Sequence, residues 1–240
     1  MLDKETIKRN FSRSAPDYDR HAALQQRMAA ELLASLPALK PHRILDLGCG
    51  TGRLTRQLAD LFPQASVVGL DIAPGMIEVA GREGRPNLHF MVGDGEEVTG
   101  VEEWDLIVSN ATLQWLNAEQ VLARAARALK ARGLLAFTTF GPQTLLELRT
   151  SGFQVNSFLS ADELRQLAAP LFARVELTAH NVLREFPGIR ELLYHLKELG
   201  ANTPVSRRPA DLTAFRRFRA RHPVVVATFE VINGLLFKSD

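Results

Sequence analysis

The sequence predicts an α/β fold built as a doubly wound, mostly parallel sheet. Three observations carry this expectation. Short apolar runs alternate with helical segments from Arg43 onward, the first run ends in a glycine-rich turn, and no internal repeat breaks the alternation. Strands alternating with helices pack as a parallel sheet covered on both faces, and right-handed crossovers leave the doubly wound arrangement as the simplest solution.

The elements follow in chain order. Residues up to Leu36 read as helical, with Leu24, Met28, Leu32 and Leu36 stacked at four-residue spacing until Pro37 and Pro41 break the pattern. Apolar runs at Ile44–Leu47, Val67–Leu70, Leu88–Val92, Leu106–Val108 and Leu134–Phe140 read as strands, with helices around Leu54–Leu61 and Val121–Leu129. Asn117 with Gln120, and Ser160 with Glu163, have the spacing of capping boxes. Arg174–Thr178 and Phe229–Phe237 read as two further strands, the second bent or bulged at Asn233-Gly234. Between them lie a helix striped by Ile189, Leu192, Leu193, Leu196 and Leu199 and an arginine-rich helix from Asp211, an excursion long enough to cap a substrate. The expected organisation is one domain: a helical lid over 1–40, a cofactor-binding core over 41–180, a helical cap insertion over 181–223, and a final strand over 224–240.

Composition narrows the class. A chain of 240 residues can bury a sizeable core without staples, and its single cysteine, Cys49, excludes an internal disulfide framework. The N-terminus has no apolar signal core and no stretch is apolar enough to span a bilayer, so a soluble, cytoplasmic protein with no membrane partner is expected. The net charge of +2 is uneven: six arginines against Asp211 give residues 205–222 a local +5. A local basic patch on a mildly acidic body points to a local acidic partner rather than to nucleic acid.

The most informative stretch is Ile44-Leu45-Asp46-Leu47-Gly48-Cys49-Gly50-Thr51-Gly52, a strand that ends in G-x-G-x-G and opens a helix near Arg53. Glycines let the backbone turn sharply against a ligand, and the helix start offers free N–H groups. Asp71 ends the next strand, where a carboxylate accepts from both hydroxyls of a ribose. Asp46 just before the turn would repel a pyrophosphate, and Arg53 stands where the dinucleotide fingerprint wants glycine or alanine. An acid there suits a cofactor that presents an ammonium group, as S-adenosylmethionine does. Gly93-Asp94-Gly95-Glu96 follows the third strand, where an acid can accept from an adenine amine. Three acids at three successive strand ends match one ligand lying across the sheet.

On LDLGCGTG, VVGLD and VGDGEE, the chain resembles the class I S-adenosylmethionine-dependent methyltransferases over roughly residues 40–140. The resemblance implies a Rossmann-like, seven-stranded sheet whose last strand is antiparallel. It also implies that Asp46, Gly48, Gly50, Gly52, Asp71, Asp94, Gly95 and Glu96 contact the cofactor, with Ile72 and Met76 at the adenine pocket and Asn110 beside the methionine moiety. The flanks, FSRSAPDYDRHA, SNATLQW, FTTFG and LKELGANT, are similar to the malonyl-[acyl-carrier-protein] O-methyltransferases of the early biotin pathway. SNATLQW is also similar to trans-aconitate methyltransferases, and a non-catalytic assembly factor of the same fold is a further alternative.

The chemistry implied is methyl transfer to the free carboxylate of a malonyl thioester, carried on acyl carrier protein or coenzyme A. That carboxylate is ionised at neutral pH, so no general base is required, and alignment with exclusion of water supplies the rate. Tyr18 and Trp115 would wall the transfer pocket, Gln114 would orient an oxygen, and Lys197 would hold the malonyl carboxylate. Arg207, Arg208 and Arg216, with their neighbours, would steer an acidic carrier protein. The six histidines show no metal-ligand spacing, no G-x-S-x-G elbow is present, and no N/D-P-P-Y/F motif speaks for nucleic-acid methylation.

Overall fold

The computed structural model describes residues 3–98, 100–201 and 223–240. Three helices open the chain: α1 (Lys4–Ser14), α2 (Tyr18–His21) and α3 (Ala23–Ser35). The alternating core follows as β1 (Arg43–Leu47), α4 (Arg53–Leu61), β2 (Ser66–Asp71), α5 (Pro74–Ala80), β3 (Leu88–Val92), β4 (Trp104–Asn110), α6 (Ala118–Ala128) and β5 (Leu129–Phe140). After it come α7 (Leu146–Thr150), α8 (Ala161–Ala168), β6 (Arg174–Phe186), α9 (Ile189–Glu198) and β7 (Val225–Phe237).

The strands form one seven-stranded sheet in the order β3-β2-β1-β4-β5-β7-β6. The first five are parallel, and β7 runs antiparallel to both β5 and β6. The central strands are apolar on both faces because both are covered. Leu106, Val108 and Leu134 pack with Leu32 and Leu58 from α3 and α4 on one side. Ile107, Leu135 and Phe137 pack with Leu122, Ala125 and Leu164 from α6 and α8 on the other. A separate apolar layer at the far end joins Leu24 and Met28 to Phe140, Phe186, Leu192 and Phe229.

Several boundaries differ from the sequence expectation, each for a local reason. The N-terminal helix is three helices, interrupted at Pro16-Asp17 and at Ala22. β6 continues to Phe186, and β7 begins at Val225 rather than Phe229. The residues 181–186, expected in the cap, therefore belong to a long antiparallel pair, and the described cap helix is α9 alone. The second arginine-rich helix lies outside the described residues. Asn233-Gly234 makes no bulge, since both pairings run through it in register. The glycine is there for closeness: a Cβ at position 234 would lie 2.4 Å from the Phe137 ring. Ser160 and Glu163 form a full capping box on α8. Asn117 caps α6 through the Gln120 N–H at 3.1 Å, but the Gln120 side chain donates to Glu96 O instead of closing the box. Among the described residues no helix is long and apolar enough to cross a membrane.

Candidate cofactor and acceptor site

The parallel order brings the C-terminal ends of β1, β2, β3 and β4 to one edge, and the three predicted acids lie there. Asp46 is buried in β1, and Thr55 Oγ1 of α4 donates to its Oδ2 at 2.7 Å. Burial, with Asp71 nearby, pushes the Asp46 carboxyl up to about 7, against the pull of the Thr55 bond. A buried carboxylate with no cation beside it is a receptor for one. Asp71 at the end of β2 accepts from Gly50 N at 2.9 Å and from Ala73 N at 2.8 Å, one bond on each oxygen. Burial raises its carboxyl, and those two bonds lower it. Each oxygen keeps a lone pair for a ribose hydroxyl. Asp94 follows β3, where its Oδ1 accepts from Glu96 N at 2.9 Å and its Oδ2 from Lys4 Nζ at 2.6 Å.

One cavity runs along this edge past Gly48, Gly50, Asp71, Ile72, Met76, Asp94, Gly95 and Asn110. Gly48, Gly50 and Gly52 all have positive φ, at 75, 55 and 79°. Gly52 stands apart from the cavity, caps α4 and lies against Phe90 and Ala80. Glu96 stands behind Asp94, accepting from Lys4 Nζ at 2.5 Å and from Asn117 N at 2.6 Å. Asn110 accepts from Thr138 Oγ1 at 2.7 Å and donates to Gln25 O at 3.0 Å. A buried anion for an ammonium, two free acceptor positions for ribose hydroxyls and an acid at the adenine end fit S-adenosylmethionine.

The N-terminal helices roof this edge. Thr51 Oγ1 donates to Asp19 Oδ1 at 2.9 Å, fastening α2 to the glycine loop, and Gly75 N donates to Ser12 Oγ at 3.3 Å, fastening α1 to α5. Lys4, Ile7 and Phe11 of α1 line the cofactor cavity, and none was legible as a site residue in sequence. Lys4 bridges acids 90 and 92 positions away, a contact with no local motif.

A second cavity of about 210 Å³ adjoins the first, and Phe11, Tyr18, Ala111 and Trp115 line both. The Trp115 ring meets Phe11 edge-on with centroids 5.6 Å apart. Burial, reinforced by the charges of Asp71 and Asp19, raises the Tyr18 phenol, which therefore stays protonated and serves as no base. Gln114 lines the same cavity, accepting from Thr139 Oγ1 at 3.0 Å and donating to Ala111 O at 2.6 Å. Phe140, Leu145, Phe158 and Phe229 give it apolar walls, and Gln25, Thr144, Gln154 and Asn156 add neutral polar groups. Lys197 is not among the lining residues: it is exposed on α9, one position beyond the inward-facing Leu196. Among the described residues the cavity is lined by no lysine or arginine. His195 also lines it; burial and the neighbouring Arg184 and His21 push its imidazole down to about 4, leaving it neutral. Arg207, Arg208 and Arg216 lie outside the described residues.

The raised Asp46 carboxyl sets a pH dependence. In the free protein the carboxyl takes up a proton as pH falls through about 7, and the protonated form lacks the charge that attracts an ammonium. Affinity for S-adenosylhomocysteine is therefore expected to be flat above that value and to be about tenfold weaker at pH 6 than at pH 8. Calorimetry at both values checks this, and Asp46→Asn should flatten the profile; a flat wild-type profile would contradict the assignment.

Comparison with known proteins follows the same lines. A family model described as a methyltransferase domain matches residues 44–133. The chain is 38% identical over 220 residues to the malonyl-[acyl-carrier protein] O-methyltransferase of Anoxybacillus flavithermus, covering 87% of this chain and 84% of that one. It is 35% identical over 259 residues to the protein of the same name from Methylococcus capsulatus, covering 98% and 94%. Among solved structures it is similar to the YcgJ protein of Bacillus subtilis, with TM-score 0.66 and 16% identity over 90% of this chain and 99% of that one. It is also similar to Haemonchus contortus phosphoethanolamine N-methyltransferase 2, solved with S-adenosyl-L-methionine, with TM-score 0.58 and 17% identity over 90% and 53%. At these identities the two structural likenesses concern the fold.

Proposed function

Because the chain belongs to the malonyl-[acyl-carrier protein] O-methyltransferase family, we propose that it esterifies the free carboxylate of a malonyl thioester on acyl carrier protein. The observation that carries the reading is a largely apolar cavity that, among the described residues, is walled by neutral side chains and abuts the cofactor cleft. S-adenosylmethionine is the cofactor and supplies an electrophilic methyl carbon. Asp46, Asp71 and Asp94 hold its ammonium, ribose and adenine ends, with Gly48, Gly50, Gly95, Ile72 and Met76 shaping the cleft and Asn110 beside the methionine end. Gly52 and Glu96 support that cleft from behind.

A carboxylate oxygen of the malonyl group forms the new bond to the methyl carbon, and the carbon–sulfur bond breaks with its electron pair left on sulfur. No proton moves, so no base is needed, and the chain's task is alignment in the absence of water. Phe11, Tyr18 and Trp115 close the partition between the two ligands, and Gln114 presents a fixed amide at its edge. The helices within residues 1–40 act as the lid, and α9 caps the acceptor side. The sequence between 205 and 222, with Arg207, Arg208 and Arg216, carries a local charge of +5 that would attract an acidic carrier protein. Lys197, exposed on α9, lies outside the lining of the methyl-transfer pocket.

The test is transfer of labelled methyl from S-adenosylmethionine to malonyl-acyl carrier protein, with malonyl-coenzyme A and trans-aconitate in parallel. A base-labile ester on the carrier-bound malonyl group is the expected result. Label on trans-aconitate alone, or none on any acceptor while cofactor binds, would overturn the reading.

A further inference from the structure

Gln25 stands between the acceptor cavity and a small pocket beside the glycine loop. It extends from α3 and lines both the acceptor cavity, with Gln114 and Trp115, and the pocket around Asp46, Gly48 and Asn110. Its Oε1 is buried and, among the described residues, has no hydrogen-bond partner. Buried polar atoms are nearly always satisfied, and an orphan at a cavity wall points to a bond completed by a ligand. The backbone beneath it is held: Asn110 Nδ2 donates to the main-chain O of Gln25 at 3.0 Å, and Thr138 Oγ1 donates to Asn110 Oδ1 at 2.7 Å. β4 and β5 thus position the residue while leaving its amide uncommitted.

The chemistry of the two ligands is complementary to an amide. An ammonium only donates and a carboxylate only accepts, and a primary amide does both while carrying no charge. A carboxylate side chain at this place would repel the acceptor, and a lysine would repel the cofactor's amino group. A full counter-charge would also stabilise the reacting carboxylate in its ground state and blunt its attack, whereas a neutral donor orients it at smaller cost. The absence of lysine and arginine from the described lining, and the neutral His195, agree with this.

We propose that Gln25 bridges cofactor and acceptor, with Oε1 accepting from the ammonium of S-adenosylmethionine and Nε2 donating to the carboxylate that is methylated. The Nε2 half rests on the carboxylate-acceptor reading above; the Oε1 half does not.

Two variants separate the halves. Gln25→Glu keeps an acceptor for the ammonium and presents a negative charge to the acceptor; Gln25→Leu offers neither bond. Each is compared with wild type for S-adenosylhomocysteine affinity by calorimetry without acceptor, for KM and kcat on malonyl-acyl carrier protein, and for thermal unfolding. Gln25→Glu is expected to bind the cofactor product at least as tightly as wild type while KM for the acceptor rises tenfold or more. Gln25→Leu is expected to weaken both by about tenfold. Equal effects of the two variants on cofactor affinity would overturn the Oε1 half, and an acceptor KM within twofold of wild type in Gln25→Glu would overturn the Nε2 half. If the wild type methylates no carboxylate, the functional reading fails and takes the Nε2 half with it, while the calorimetry still decides the Oε1 half.

Discussion

Replacing Asp71 by alanine is expected to weaken cofactor binding several hundred-fold. The carboxylate offers one free position on each oxygen to a ribose hydroxyl, and hydrogen bonds to a charged group contribute about 1.5–3 kcal/mol each, so the loss of both is about 3–4 kcal/mol. The same oxygens hold Gly50 N and Ala73 N, so the variant also loosens the glycine loop and the start of α5. Asp71→Asn keeps one acceptor oxygen and loses the charge, but its amide nitrogen has to face either Gly50 N or Ala73 N, so it gives up one of those backbone bonds as well. It should fall between wild type and Asp71→Ala, at about a tenfold loss of affinity and with a partial fall in unfolding temperature. Calorimetric titration with S-adenosylhomocysteine measures the affinities. An Asp71→Ala protein that stays folded and binds within threefold of wild type would show that the ribose lies elsewhere.

Gly48→Ala is the second large effect, and it acts on the fold. Gly48 has φ of 75°, and a Cβ there would lie 2.2–2.7 Å from three heavy atoms of the Thr112 side chain. The same residue donates from its N–H to Leu70 O at 2.7 Å, and its carbonyl accepts from Thr112 Oγ1 at 3.2 Å, so neither chain can withdraw without losing a bond. Backbone strain of about 1–2 kcal/mol and overpacking of about 1–3 kcal/mol together remove a large part of an ordinary domain's stability. Denaturant unfolding should show a loss of about 2–5 kcal/mol, with methyl transfer lost as well. Adding Thr112→Gly removes the collision and leaves the strain, so the double variant should recover more than half of the loss despite its own missing Thr112 bond. A single variant within 1 kcal/mol of wild type would contradict the packing described here.

The parts that sequence could carry were those encoded by neighbours along the chain. The strand–glycine–helix unit at 44–53 and the acids at 71 and 94 each sit inside one continuous motif, so their positions at the sheet edge followed once the strands were placed. β6 was read short because it lies at the edge of the sheet: beyond Thr178 its residues Ala179, His180, Asn181, Leu183 and Glu185 face solvent, and no apolar run marks the strand. Lys4 and Gln25 were missed for a different reason. Lys4 meets Asp94, and Gln25 meets Asn110, across 90 and 85 positions, and each looks like an ordinary helix-surface residue until the lid is folded over the sheet. Lys197 was misjudged by one step of a helix, where a rotation of about 100° separates a residue from its neighbour's face.

The insertion of β7 between β5 and β6 also dictates an order of assembly. The five parallel strands that carry the cofactor acids lie within residues 43–140, so that part of the sheet is complete in a nascent chain of that length. β6 is paired with β7 and with no other strand, and β7 closes onto β5 only after the whole of 141–224 has been synthesised. Until then β5 presents an open, apolar edge and β6 has nothing to join, and the long loop makes this the slowest closure in the sheet. Because Phe229 is part of the acceptor cavity, the emerging polypeptide completes the binding edge for its cofactor before it has built the chamber for its substrate.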